Sequence, residues 1–259
     1  MERFTLVMLF LIGDVLFERI NMGRADRKRT VACLPMKIGK VDRLGLHPFL
    51  TSPFLIPAEN ATPPYSWLSL SNFHDTYRGL PPAVRKDKAG RPLCSWRFQT
   101  LPFLESWMGS PAMEFGEPWD SPANQYWAEL RIRVYCWSEE DSAEKLHTNV
   151  VAVTGPGTPF GNDLQKRLQD MDGGTILLVE ISHSGIHWMA PGDLTLDSIP
   201  ESLVQGLEGD GFHVLFADGQ IWFLSADVPL EDVKKFFTID GVWKHNREQI
   251  LGPYALYRS

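Results

Sequence analysis

The stretch VEISHSGIHWMAPGDL, residues 179–194, contains the side chains best suited to bind a transition metal. Glu180, His183, His187 and Asp193 supply two imidazoles and two carboxylates, which are ligand types that zinc accepts. The apolar run before the histidines is typical of a strand, which would hold them about 13 Å apart, so a sharp turn must bring them together. A metal-dependent hydrolase using these four residues is one hypothesis. Two loop histidines at a strand end are the alternative.

Acidic side chains in predicted loops suggest a second kind of ion site. Calcium binds several carboxylate and carbonyl oxygens at once, and we consider Asp193, Asp218 and Glu180 as its ligands. The sequence has no regular D-x-D-x-D-G pattern, which argues against a standard calcium loop. We therefore expect no cofactor, with calcium as the one candidate. Further loop aspartates of this kind are Asp172, Asp197 and Asp210.

Nine tryptophans are many for a chain of 259 residues. Aromatic side chains combine a large apolar surface with a polar edge, and an exposed group of them can hold a saccharide or a peptide. We predict Trp119, Trp188 and Trp222 as ligand-binding residues, with Trp127 and Trp243 as further members of the platform. The alternative is that these side chains pack in the core and at its rim.

Other enzyme motifs are incomplete in this sequence. The glycine-rich stretch GPGTPFG, residues 155–161, lacks the lysine of a P-loop, and we interpret it as a connector. No G-x-S-x-G nucleophile elbow is present. The pattern therefore predicts no catalytic residues apart from the histidine cluster.

Composition and charge limit the class of protein. The chain is 44% hydrophobic and 22% charged, which suits a globular domain with a sizeable core. Its net charge of −7 argues against nucleic acid, which requires a basic face. The three cysteines form no disulfide framework or zinc motif. A Cys94–Cys136 bridge and buried free thiols are both open.

The first 64 residues read differently from the remainder. Residues 4–13 carry no charge, a length that suits a signal-peptide core but is short for a membrane span of about 20 residues. Membrane association is predicted through residues 4–20. A basic stretch and a proline-rich linker follow, so we divide the chain into a divergent segment, residues 1–64, and a single globular domain, residues 65–259.

Periodicity predicts an α+β fold, in which helices are followed by a mainly antiparallel sheet and a closing helix. A two-residue type I′ turn at Asp218-Gly219 is expected to join two strands of a hairpin. Ser95 is the expected cap of a helix that Pro102 interrupts, and Asn124 is the expected cap of a shorter one. The remaining expected elements are a helix from residue 65, strands over residues 131–137, 149–153 and 175–182, and a helix over residues 229–237.

Six ordered blocks and the Phe-Ala-Asp-Gly hairpin resemble a prepilin-like family of unknown function that is expanded in planctomycete bacteria. The resemblance covers about residues 67–241. The blocks are NFHDTYRGLPPA, SWRFQTLPFLE, EPWDSPAN, NVVAVTGPGTPF, MDGGTILLVE and WMAPGDL.

The resemblance implies a pilin-like protein with an N-terminal helix, a β-rich head and export to the cell envelope. It implies a non-enzymatic structural or interaction role with envelope or secretion-system partners, and it leaves the oligomeric state open. Phe4-Thr5-Leu6 matches the family's head, but Arg3 and Met8 replace its glycine and glutamate, and Glu208 replaces a histidine found in many members. If that head is not exported, we expect a cytoplasmic binding module for a saccharide or peptide.

Overall fold

The computed structural model describes residues 63–104, 110–135, 146–161, 166–200, 203 and 211–259. Residues 1–62 of the predicted N-terminal segment, which include the apolar residues 4–20 and most of the proline-rich linker, lie outside the described residues. In the described part, no helix has both the length and the hydropathy needed to cross a membrane.

Fourteen helices and strands build the described part, with short 3-10 turns between several of them. The helices are α1 (Pro63–Tyr77), α2 (Trp96–Thr100), α3 (Gln125–Ala128), α4 (Leu230–Lys234), α5 (Ile239–Val242) and α6 (Arg247–Ile250). The strands are β1 (Val84–Lys86), β2 (Pro92–Ser95), β3 (Val150–Thr154), β4 (Ile176–Glu180), β5 (Leu194–Thr195), β6 (Gly211–Phe216), β7 (Ile221–Ser225) and β8 (Ala255–Arg258).

The main sheet has six strands in the order β5-β3-β4-β6-β7-β8. Every neighbouring pair is antiparallel except β3 with β5, which is parallel. Strands β1 and β2 form a separate antiparallel pair. The predicted α+β class with a mainly antiparallel sheet is therefore confirmed.

The central strands of the sheet pack against a core on each face, which explains why they read as continuous apolar runs. Along β3, Val150 and Ala152 belong to one core while Val151 and Val153 belong to the other. The first core contains Trp96, Phe98, Trp127 and Trp188, and the second contains Trp222, Phe236, Phe237 and Leu251.

Two local predictions for the helices are confirmed. A helix begins at Pro63 and extends to Tyr77. The hydroxyl of Ser95 accepts the backbone N–H of Phe98 and caps α2, and the chain changes to a 3-10 turn at Leu101–Phe103, where Pro102 stands. Asn124 precedes α3 as expected, but its side chain bonds backbone atoms of Glu114 instead of capping the helix.

The hairpin of β6 and β7 is confirmed, but its turn differs from the predicted one. The N–H of Phe216 donates to the carbonyl of Gln220 at 2.9 Å, and the N–H of Gly219 donates to that of Phe216 at 3.0 Å, so the loop has three residues. Gly219 has a φ of +85°, whereas Asp218 is not among the described residues with positive φ. A Cβ at Gly219 would lie 2.7 Å from the Trp67 ring. Packing under α1 therefore also requires the glycine.

The predicted strand over residues 131–137 is wrong for its described part. The chain turns at residues 133–135, where the N–H of Tyr135 donates to the carbonyl of Ile132 at 2.9 Å. The apolar residues that suggested alternation, Ile132 and Val134, are buried by this turn in the first core. The closing helix is present but shorter than predicted, since it ends at Lys234. Helices α5 and α6 and strand β8 come after it, and the sequence patterns predict none of the three.

Candidate functional site

Four side chains form one line across the face of the sheet that carries the first core. We call Glu180, His213, Phe223 and Tyr257 the cross-strand row. His213 lies opposite Phe223, and Phe223 lies opposite Tyr257. The Glu180 carboxylate bonds His213 from the next strand. Residues in register across an antiparallel sheet share a face, so strands β4, β6, β7 and β8 present one continuous surface.

The polar end of the row is a tightly held carboxylate–imidazole pair. Oε2 of Glu180 accepts the backbone N–H of His213 at 2.9 Å and its ring Nδ1–H at 2.7 Å. Because a carboxylate only accepts, the contact assigns the Nδ1 proton. The His213 ring also contacts the Phe223 ring, with 4.7 Å between centroids. The imidazole is thus fixed by a carboxylate and by an aromatic ring.

Exposure rises along the row away from α1. The side chains of Glu180 and His213 are 14% and 31% exposed, and Tyr257 is 61% exposed. A small cavity lies under the polar end, where α1 meets the sheet. Its lining includes Ser66, Val150, Leu178, Leu215, Glu180 and His213. The row therefore begins at the covered core and ends on open surface.

Asp193, predicted as a metal ligand, is instead the acid of a buried ion pair. Its Oδ1 accepts Nη2–H of Arg97 at 2.5 Å, the backbone N–H of Ala152 at 2.8 Å and Nε1–H of Trp96 at 3.2 Å. The two charged side chains are 1% and 0% exposed. Burial raises the pKa of Asp193, while Arg97 acts in the opposite direction. This carboxylate fastens β3, α2 and the segment before β5 together.

His187 is likewise used by the fold. Its Nδ1 accepts the N–H of Met189 at 3.2 Å and its Nε2–H donates to the carbonyl of Ala128 at 2.9 Å. His183 is exposed, and Glu180 bonds His213. Within the described residues, no three His, Cys, Asp or Glu side chains are placed to hold a metal ion. The predicted four-residue cluster is therefore not assembled.

The predicted calcium ligands are also kept apart, because each carboxylate has a different basic partner. Asp218 pairs with Nη2 of Arg247 at 2.8 Å, Glu180 with His213 and Asp193 with Arg97. Asp218 also accepts the N–H of Gln220 at 3.0 Å. It is thus a turn residue that ties the hairpin to α6.

Burial gives His187 a pH signature. Its pKa is lowered, chiefly by burial and less by nearby His147. In the unfolded chain His187 has its ordinary pKa of about 6.5, so it binds more protons there than in the folded chain at pH values between the two pKa values. The contribution of His187 to the free energy of unfolding is therefore complete above about pH 6.5 and is lost as the pH falls toward the folded-state pKa. We expect His187→Gln to flatten this part of the stability–pH curve, measured by urea unfolding from pH 5 to 8. His183→Gln is the matched control, and equal slopes for the two variants would contradict the assignment.

The tryptophan platform is not a surface in this fold. Trp188 and Trp222 are fully buried and belong to different cores. Trp119 is half-buried and stacks on His187, with 4.5 Å between ring centroids. Trp127 is also fully buried, whereas Trp243 is 74% exposed. The alternative interpretation, core and rim packing, therefore describes Trp119, Trp127, Trp188 and Trp222, whereas Trp243 lies on the surface.

Cys94 is a free, buried thiol. Burial raises its pKa to about 12, which makes it inert at neutral pH. Cys136 lies outside the described residues.

The comparisons with known proteins give one match. Residues 67–175 match the model of a family described as a protein of unknown function (DUF1559). No curated protein and no solved structure matches the chain. The matched segment begins at Trp67, where the resemblance seen in the sequence also begins, and it ends before β4. The cross-strand row lies beyond it.

Sequence reasoning did not find the cross-strand row. Glu180 is predicted only as a metal ligand, and the sequence patterns assign no role to His213. One signal was present: both are polar residues in otherwise apolar strands. A buried polar group requires a partner, but only the register between the strands shows which residue is that partner.

Proposed function

We propose that this protein is an envelope-associated, pseudopilin-like module with a non-enzymatic structural or interaction role. The observation that carries the interaction role is the cross-strand row, a surface that four strands fix in register and that ends in the exposed ring of Tyr257. Binding surfaces of this kind combine an exposed aromatic residue with a few oriented polar groups.

The proposed non-enzymatic role is supported by how the acidic side chains are used. Asp193 holds Arg97, Glu180 holds His213 and Asp218 holds Arg247. Each pair joins separate elements of the fold, so these carboxylates have structural partners. The envelope location is supported by the resemblance of the sequence blocks and by the apolar head at residues 4–20.

Fractionation of cells that express the protein natively tests this proposal. We expect recovery in the membrane or surface fraction, with the peptide of residues 1–13 retained in mass spectrometry. Leu11→Arg places a charge in the apolar head and should shift most of the protein to the soluble fraction. Leu256→Arg, at a site that is 60% exposed, is the matched control and should not. Recovery of the unchanged chain as a soluble cytoplasmic protein with Met1 intact would refute the envelope role.

A further inference from the structure

We propose that the cross-strand row is a binding surface for a neutral saccharide. This inference rests on the proposed interaction role, since it names the ligand class of the same surface, Glu180, His213, Phe223 and Tyr257. It is independent of the proposed envelope location. It replaces the tryptophan platform, whose members are mostly buried, with a different set of residues.

The apolar end of the row offers the flat surface that a sugar ring requires. Tyr257 is 61% exposed at the edge of the sheet, and Phe223 is half-buried beside it. Directly opposed residues on neighbouring strands have Cβ atoms about 5 Å apart, so the two rings belong to one patch. The C–H face of a pyranose packs on such rings, and the hydroxyl of tyrosine adds a polar edge.

The polar end supplies acceptors for sugar hydroxyls. An ionised carboxylate has about four lone-pair sites, and the two bonds from His213 to Glu180 use only part of that capacity. The same bonds fix the carboxylate in place, which lowers the entropy cost of using it for a ligand. The cavity beneath Glu180 and His213, lined also by Ser66, is no larger than about one water molecule, so a sugar hydroxyl would reach Glu180 through the 14% of its side chain that is exposed.

Length and charge select the ligand class. Neighbouring strands lie about 4.8 Å apart, so the row extends over about 14 Å from Glu180 to Tyr257, the scale of a short oligosaccharide. A net charge of −7 and a carboxylate in the row disfavour anionic polymers. A neutral oligosaccharide can stack on the rings at the Tyr257 end and donate hydroxyl groups to Glu180 at the other end, without bringing a second negative charge to Glu180.

Calorimetric titration of the purified full chain with cellohexaose and chitohexaose tests the proposal. We expect at least one of them to bind, and Tyr257→Ala to weaken that binding about tenfold, which corresponds to about 1.4 kcal/mol. Tyr257→Phe keeps the ring and should bind within about threefold of the unchanged chain. Tyr77→Ala is the matched control, because Tyr77 is 57% exposed but packs on Phe73 and Phe103 at the end of α1.

Three results would overturn the inference. The first is that neither hexasaccharide binds. The second is that Tyr257→Ala and Tyr77→Ala bind equally well, and the third is that a neutral hexapeptide binds with the same Tyr257 dependence. A thermal melt of each variant separates lost folding from lost binding, and Tyr257→Phe gives a second reading if the alanine variant does not fold. Since the assay uses purified protein, its failure is distinct from a failure of the envelope role.

Discussion

Replacing Asp193 by alanine is expected to lower the free energy of unfolding by about 3–5 kcal/mol, because removing one partner of a buried ion pair leaves the other charge uncompensated. Arg97 is fully buried and would keep only the carbonyls of Val150 and Gly192 as acceptors. The N–H groups of Ala152 and Trp96 would also lose their acceptor. Urea unfolding followed by circular dichroism measures the change.

The control for this prediction is an exposed ion pair of the same chemistry. Arg167 and Asp170 lie 2.7 Å apart with side chains about half exposed, and such pairs contribute about 0.2–1 kcal/mol. Asp170→Ala should therefore have a small effect. The double variant Arg97→Met/Asp193→Leu removes both charges and should recover much of the loss. A loss below about 1 kcal/mol for Asp193→Ala would show that the pair is not buried as described.

Trp188→Ala should destabilise the protein by about 3–5 kcal/mol, the usual cost of removing a large aromatic side chain from a core. The Trp188 ring is fully buried, lies parallel to the Tyr135 ring and donates Nε1–H to the carbonyl of Leu130 at 2.9 Å. The variant opens a cavity and leaves that carbonyl without its donor. Thermal and urea unfolding measure the change.

Trp243→Ala is the matched control for Trp188→Ala, because Trp243 is 74% exposed and surface substitutions usually change stability by less than about 0.5 kcal/mol. Trp188→Phe keeps an aromatic ring and should lose less than the alanine variant. If Trp188→Ala folded with unchanged stability but bound a saccharide less well, the residue would belong to a ligand surface after all.

The candidate site was less accessible to sequence reasoning than the elements that carry it. Glu180 and His213 are 33 positions apart, and Tyr257 is a further 44 positions along the chain. Nothing local relates them, because their proximity results from the order β4-β6-β7-β8 and from the pairing register. The same applies to Arg97 and Asp193. A sequence names titratable residues, but their partners depend on contacts between distant segments.

What the sequence by itself determined is the set of local elements. The apolar runs at residues 149–153 and 175–182 and the Ser95 cap followed by Pro102 are governed by interactions within a few residues, and they are present as expected. The hairpin is also present, although its turn has three residues instead of the predicted two. Only the tertiary structure decided whether polar and aromatic side chains face a ligand, an ion or the core. Burial in two cores made Trp188 and Trp222 structural, and ion pairing separated Asp193, Asp218 and Glu180. The physical reason is that burial and charge pairing are properties of the packed chain, which local periodicity does not contain.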